Sequence, residues 1–563
     1  MKKLIECVPN ISEGRDHAII KQVTDEIEKV EGVKLLDVDP GAATNRTVIT
    51  FVGTPDEVCE AAFRVVKKAS ELIDMSKQKG EHPRFGATDV CPLVPVSNIT
   101  MEETVEYARK LGERIGKELK IPVYCYENAA FDEKRKNLAY CRSGEYEALP
   151  NKLGTAEWKP DFGPNEFNNF VSKTGVTAVG ARDFLVAFNV NLNTTSTRRA
   201  NAIAFDVREK GRKKTDPVTG KPVKDEKGND VWIPGTLKCV KGIGWFIDEY
   251  NIAQISMNLT NISITPTHIA FDEVCKKADA RGVRVTGSEL VGLVPLNAML
   301  DAGKYFLKKQ NRSTGISDAE LIRIAVKSMG LDELYPFKPE EKIIEYVLEK
   351  QNKSKKLIDM KLTDFVFETA SESPAPGGGS ISAYMGSLGA ALATMVANLS
   401  SHKRGWDERW EEFSNWADKG KYYHDMLIKM VDEDTIAFNK IMDGFSLPKK
   451  TDEEKALRTA AIQDATKYAI EVPFNTMKLA YESMEVIKAM AETGNPNSVT
   501  DAGVGALAAR SAVIGAFLNV KINASGLNDK AYVEKVLAEG EEIQKKAIAL
   551  ENTILEIVNS KIN

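Results

Sequence analysis

Lys79–Val96, KGEHPRFGATDVCPLVPV, sets His82 in a polar turn between an acid and a Pro-Arg pair, then passes through glycine into an apolar strand. The same punctuation returns about 200 residues later in Val285–Leu296, VTGSELVGLVPL. The echo extends upstream. NRTVITFVGTPDEVCEAAFRVVKKA and IAQISMNLTNISITPTHIAFDEVCKKA each read as an alternating strand, a Thr-Pro helix start and an amphipathic helix. Two α/β subdomains of related topology are predicted, and a paired arrangement leaves a cleft suited to a small molecule. The second copy carries Gly287, Ser288 and Glu289 but no His-Pro-Arg turn. Only the first therefore carries the candidate acid-base residue, an imidazole in a polar turn, where it can exchange protons near neutral pH.

At 563 residues the chain is too long for one core, and three or four units are expected. A hydrophobic fraction of 43%, a charged fraction of 28% and a net charge of -5 give no bias toward nucleic acid or anionic membranes. No apolar run is read as long enough to span a bilayer, and MKKLIECVPNISEG meets charge too early for a secretory signal, so a cytoplasmic protein is expected. The seven cysteines include no CxxC pair and none lies beyond Cys275, which gives neither a zinc knuckle nor a disulfide framework. No metal is expected.

Outward from the histidine turn, Val33–Val38 reads as a strand that ends in Asp39-Pro40-Gly41. A polar tip carries the chain to Arg46 at the head of the next strand. After residue 147, EALPNKLGTAEWKPDFGPN has too much Pro and Gly for regular structure, and Thr177–Leu192 resumes as strand. The first subdomain is accordingly placed at 1–178 and the second at 179–330. Residues 208–234 read as a solvated surface hairpin, and the Gly242-Ile243-Gly244 pattern is too weak to be a phosphate loop. Asp248, just beyond it, is a second acid for the cleft. A helical linker is expected over 331–357, with its polar joint at Asn352–Lys356, and an all-α bundle over 358–563.

Two features of that bundle carry chemistry. APGGGS puts Gly377, Gly378 and Gly379 before a long apolar helix, where free backbone amides can hold an anion. In VDEDTIAF, Asp434 shares a helical stripe with Leu427, Val431, Phe438 and Ile441, whereas Asp432 points nearly the opposite way. An aspartate inside a bundle is costly to desolvate without a partner or a task.

The motifs CVPNISEG, DVDPG, GEHPRFGATDVCP, PDFGP, GARDFLVAFNVNL, GIGWFIDEYNIAQISMNL, GSELVGLVP, APGGGS, VDEDTIAF and NVKIN span nearly the whole chain, and through them it resembles the formimidoyltransferase-cyclodeaminase family. That resemblance implies transfer of a formimino group from N-formimino-L-glutamate to N5 of tetrahydrofolate, the co-substrate, then closure to 5,10-methenyltetrahydrofolate with loss of ammonia. It implies His82 as the transferase proton shuttle with Asp39 and Asp248 beside it. Arg46 and Arg84 are implied as substrate ligands, and Gly163, Pro164 and Asn165 as the folate segment. Asp434 is implied as the acid of the deaminase, and a homo-oligomer built through the helical domain is expected. A folate-binding assembly protein with one active half, or a formyltransferase using N-formylglutamate, are the alternatives.

Overall fold

The computed structural model describes residues 3–42, 44–80, 82–351 and 356–562. The chain divides into two units, Met1–Met299 with Val326–Asn352, and Leu300–Ala325 with Lys353–Asn563.

In the first unit, β1 (Leu4–Cys7) and its continuation β2 (Asn10–Ile11) lead through α1 (His17–Glu28) to β3 (Lys34–Gly41) and β4 (Arg46–Gly53). Helix α2 (Pro55–Leu72) then carries the chain to β5 (Thr88–Ser97). The start of α2 is closed by Thr54, whose hydroxyl donates to Glu57 at 2.7 Å. Its buried face, Val58, Ala61, Ala62, Val65, Val66 and Ala69, follows the helical repeat onto the sheet. Strands β4 and β5 flank β1 and β2, and β3 lies outside β4. After α3 (Met101–Arg114), β6 (Val123–Glu127) and β7 (Thr177–Ala181) extend the sheet with parallel pairings, so it is mixed.

A second sheet follows, made of β8 (Val186–Leu192), α4 (Thr197–Val207), β9 (Val240–Ile247), β10 (Ile252–Leu259), α5 (Thr267–Asp279) and β11 (Val285–Val291). Its order is β9-β10-β8-β11, all antiparallel. That matches β3-β4-β1-β5 position for position. Each half is a βαββαβ unit in which the first strand lies between the two joined by the second helix. The repeat inferred from sequence is thus a repeat of topology.

Two details differ from expectation, and a third gives the paired glycines a role. The Thr177–Leu192 stretch is two strands in two sheets, and the chain crosses over at 182–185, where Arg182 and Asp183 interrupt the apolar run. Gly244 lies inside β9, where a Cβ would stand 2.2 Å from the Asn201 amide of α4, so the paired glycines serve helix–sheet packing. Residues 331–351, expected as a linker, belong to the first unit, and Ile343 bridges to Val294. Of the predicted polar joint at Asn352–Lys356, residues 352–355 lie outside the described residues.

The second unit packs α6 (Gly378–Ser401), α7 (Trp410–Ser446), α8 (Asp452–Thr493), α9 (Val499–Ala524) and α10 (Lys530–Ile562) around an alanine-rich core. Contrary to the sequence reading, two helical stretches, Gly378–Ser401 and Pro496–Ala524, are long and apolar enough to cross a membrane by length and composition. Small residues explain their close approach to each other: a Cβ on Gly389 would stand 2.8 Å from the Gly505 carbonyl. Residues 300–325 join this unit. Asn398 donates to the Gly315 carbonyl at 2.7 Å, and Lys421, buried, donates to Asp318 at 2.7 Å.

Candidate active sites

The turn around His82 is held from three directions. Gly80 packs on the Thr44 carbonyl, and Asn45 accepts from Gly14 and donates to Lys79. Gly86 crosses Val176 so closely that a Cβ would stand 2.0 Å from that carbonyl oxygen. Third, Arg84 donates to the Gln78 side chain and carbonyl, to Glu145, and through two nitrogens to Glu147. All five of its N–H groups are engaged. The sequence reading made Arg84 a substrate ligand, but its donors are already committed to ordering the turn.

His82 itself is half-buried, and its Nδ1 lies 2.8 Å from the Pro83 carbonyl oxygen. A carbonyl only accepts, so Nδ1 carries the hydrogen and Nε2 is left with its lone pair. Burial, then the charge of Arg46, pushes the imidazole down to about 4. At neutral pH it is a base. Glu81, the acid that precedes it, lies outside the described residues.

Beneath the turn, Arg46 donates to Asn10 at 3.0 Å and to Asp89 at 2.5 Å, and Arg142 donates to the same Asp89 oxygen at 2.7 Å. The other oxygen of Asp89 accepts from the Phe85 amide at 3.0 Å. Burial alone raises this carboxyl, and the two guanidinium groups outweigh it, holding it below the usual range. Arg46 is therefore part of a buried ion pair. Sequence reasoning passed over both Asp89 and Arg142, and Arg142 stands in CRSGEYE, which carries no recognisable pattern.

Asp39 lies on edge strand β3, beside Asp37, whose carboxyl burial pushes up to about 6. Asp248 is exposed in the turn after β9, and neither Asp39 nor Asp248 makes a side-chain hydrogen bond or ion pair among the described residues. The second sheet adds a floor that was not anticipated. Asn189 and Gln254 donate to Glu289, Gln254 to Asn191, Trp245 to Gln254, and Tyr335 to Glu289 at 2.7 Å. Asn191 and Gln254 are fully buried. The period-two alternation of FNVNL would have placed Asn189 and Asn191 on one face. The floor lies near Asp39, which, with Glu289, raises the phenols of Tyr250 and Tyr335 behind the larger effect of burial.

The PDFGP segment runs along β6. Phe162 pairs with Val123, Asp161 receives the Cys125 amide at 2.7 Å and Arg135 at 2.8 Å, and Gly163 takes φ +82 against the Ile121 carbonyl. Asn165 accepts from the Gly154 amide. Gly163 is exposed and Pro164 half-buried, leaving the outer edge of this strap open.

In the helical unit, the two features read separately from sequence form one site. Asp434 Oδ2 accepts from the Ser380 amide at 2.9 Å and from its hydroxyl at 3.0 Å, in the first turn of α6. Of the glycines at 377–379, Gly379 makes room for the carboxyl, since a Cβ there would stand 2.0 Å from Asp434 Oδ1. Gly378 faces Asn519 of NVKIN. Burial raises the Asp434 carboxyl above its ordinary value, and the Ser380 bonds offset only part of that. Of the predicted stripe, Leu427 and Val431 are buried, while Phe438 is 39% exposed. Asp432 does not point into open solvent: it accepts the Leu357 amide at 2.6 Å, and burial raises its carboxyl too.

Models of three protein families match the chain: the formiminotransferase domain N-terminal subdomain over residues 4–182, the formiminotransferase domain over 187–349, and formiminotransferase-cyclodeaminase over 361–542. Among characterised relatives, the formimidoyltransferase-cyclodeaminase of Gallus gallus is 44% identical over 532 residues, 94% of each chain. The glutamate formimidoyltransferase of Streptococcus pyogenes serotype M1 is 41% identical over 55% of this chain and 95% of its own. The methenyltetrahydrofolate cyclohydrolase of Methylorubrum extorquens is 40% identical over 35% of this chain and 96% of its own.

Proposed function

The chain belongs to the formimidoyltransferase-cyclodeaminase family, and from that premise we propose that it moves the formimino group of N-formimino-L-glutamate to N5 of tetrahydrofolate and then closes the ring with release of ammonia, in histidine degradation. The observation that carries the first step is the 2.8 Å contact of His82 Nδ1 with the Pro83 carbonyl oxygen, from which the tautomer follows. With hydrogen on Nδ1 and the ring neutral, Nε2 takes the proton from N5 as it bonds to the formimino carbon. The same nitrogen then returns that proton to the glutamate amine as its bond to carbon breaks. The uncommitted carboxylates of Asp39 and Asp248 face positive charge that builds on the amidine carbon. The open edge of the strap at Gly163, Pro164 and Asn165 is the folate segment in this reading.

In the second step N10 bonds to the same carbon, and the departing nitrogen needs a proton. Asp434, buried and raised, is its donor, and Oδ1 is the oxygen that carries the proton because Oδ2 already accepts twice. In this reading neither step needs a metal. The exposed apolar side chains of α9, Leu518 and Ile522 among them, support a homo-oligomer formed through the helical unit, and cysteines that form no disulfide among the described residues support a cytoplasmic site of action. Steady-state assays of each partial reaction, with N-formimino- and N-formylglutamate as donors, test the whole. Absence of both glutamate and ammonia release with the formimino donor defeats the reading.

A further inference from the structure

Three arginines surround the His82 turn, and they differ in what remains free. Arg84 has every N–H engaged. Arg46 is buried and tied to Asn10 and Asp89. Arg142 makes one side-chain hydrogen bond among the described residues, from Nη2 to Asp89, and its Nε is buried without a partner. Four of its five N–H donors have no partner among the described residues. Its side chain is only 13% exposed, so bulk water does not fully replace the missing acceptors.

Charge reinforces the point. Asp89, fully buried, faces two guanidinium groups through a single oxygen, and His82 beside them is uncharged at neutral pH. Among the described residues the cluster carries one positive charge more than it balances. A largely buried, half-paired cation of this kind is expensive unless an anion completes it. Arg142 is also placed with care, since it leads the 142–147 loop whose Tyr146 amide donates to the Arg84 carbonyl and whose Glu145 and Glu147 hold the Arg84 side chain. The loop that fixes the histidine turn thus presents the free guanidinium next to it.

We propose that Arg142 is the anchor for the α-carboxylate of the amino-acid donor. The inference rests on the transferase reading above. The α-carboxylate is the acidic group of formiminoglutamate nearest its reacting nitrogen, and a planar guanidinium with free N–H groups is suited to receive it. In the complex the carboxylate balances the surplus charge, and it fixes the formimino carbon relative to His82 Nε2.

The test is a cycle on the full chain with three donors and three proteins. Binding of N-formimino-L-glutamate, its α-carboxamide and its γ-carboxamide is measured by calorimetry for the parent, Arg142→Gln and Arg142→Lys, with formimino transfer to tetrahydrofolate assayed in parallel. The parent should favour the α-carboxylate over the α-carboxamide by about 10- to 100-fold, the scale of a charge-assisted hydrogen bond. In Arg142→Gln that preference should collapse toward unity while the response to the γ-carboxamide stays as in the parent, and Arg142→Lys should retain part of it. Removing one of the two cations that face His82, with Arg46 and Asp89 still in place, should also move the acid limb of kcat/KM to higher pH. An Arg142→Gln protein that keeps the full α-carboxylate preference overturns the proposal, even if its pH profile has moved, because Arg142 then acts only through His82. Lack of transfer by the parent is a separate failure, of the transferase reading, and leaves the binding cycle to be judged by itself.

Discussion

Ser380 gives both its backbone N–H and its hydroxyl to one oxygen of Asp434, 54 residues further along the chain. An acid in the middle of one helix thereby closes the N-terminus of another, and the two lose independence. Gly379→Ala should displace the carboxylate, since the added carbon falls 2.0 Å from Oδ1. Ammonia release should drop by roughly 10²-fold or more, the scale of a mispositioned acid, with formimino transfer unchanged. Measuring both products in one reaction checks this, and full ammonia release would separate Gly379 from the chemistry.

Asp434→Asn keeps the shape and removes the exchangeable proton. The variant should release glutamate and accumulate 5-formiminotetrahydrofolate, seen as a stalled ultraviolet transition to the methenyl product. Asp432→Asn should leave ammonia release near the parental rate, because its oxygen can still accept the Leu357 amide. Asp432→Ala removes that acceptor and should cost stability by about 1–3 kcal/mol, the usual penalty for a lost charged acceptor, readable in a denaturant melt.

His82→Ala should slow formimino transfer by roughly 10² to 10⁴ and spare deamination. Its pH dependence follows from the depressed imidazole. The base is neutral and active at neutral pH, and kcat/KM should fall only as pH drops through about 4. A limb near the ordinary histidine value would show that Arg46 and burial do not act on the ring as the structure implies.

Asp37 supplies a stability test with a definite sign. Its carboxyl is raised to about 6 by burial, and one oxygen has no partner. Between the ordinary aspartate value and about 6 the folded chain holds the proton more tightly than the unfolded chain, so stability is lost as pH rises through that window. Asp37→Asn should flatten this part of the Tm-versus-pH curve. An unchanged slope would assign the dependence to other groups.

Fragment boundaries are the fifth test. A bundle begun at residue 358 lacks the 300–325 segment and leaves Lys421 without Asp318 and Ser414 without Thr314. A fragment spanning 300–563 should therefore melt higher than one spanning 358–563. Equal melting temperatures would make the segment a passive passenger.

The sequence announced what is periodic or local: the duplicated halves, the amphipathic α2, the helical second unit, and the histidine in its turn. It hid what depends on long-range partners. Nothing near Arg84 says that Glu145 and Glu147 occupy its donors, so the arginine with free donors, Arg142, lay in a stretch with no pattern of its own. The glycines at 377–379 suggested an anion site, and the structure sets Gly379 against the Asp434 carboxyl, whose own stripe had been found from the helical wheel. Asp432 shows the limit of that wheel: it gives a direction relative to one helix and is silent about a neighbouring segment such as 357–359 that comes to meet the other side.

The His82 turn also has a timetable. Its closing partners are Glu145 and Glu147 on Arg84 and the backbone of residues 174–176 on Phe85 and Ala87. On a ribosome the histidine leaves the exit tunnel long before these segments have been made, and closure over such a separation carries a loop entropy that local contacts cannot offset early. The burial that depresses the imidazole is therefore incomplete until β7 is synthesised and docks. A nascent chain arrested before that strand would contain every residue of the GEHPRFGATD motif and still lack the full burial of its histidine.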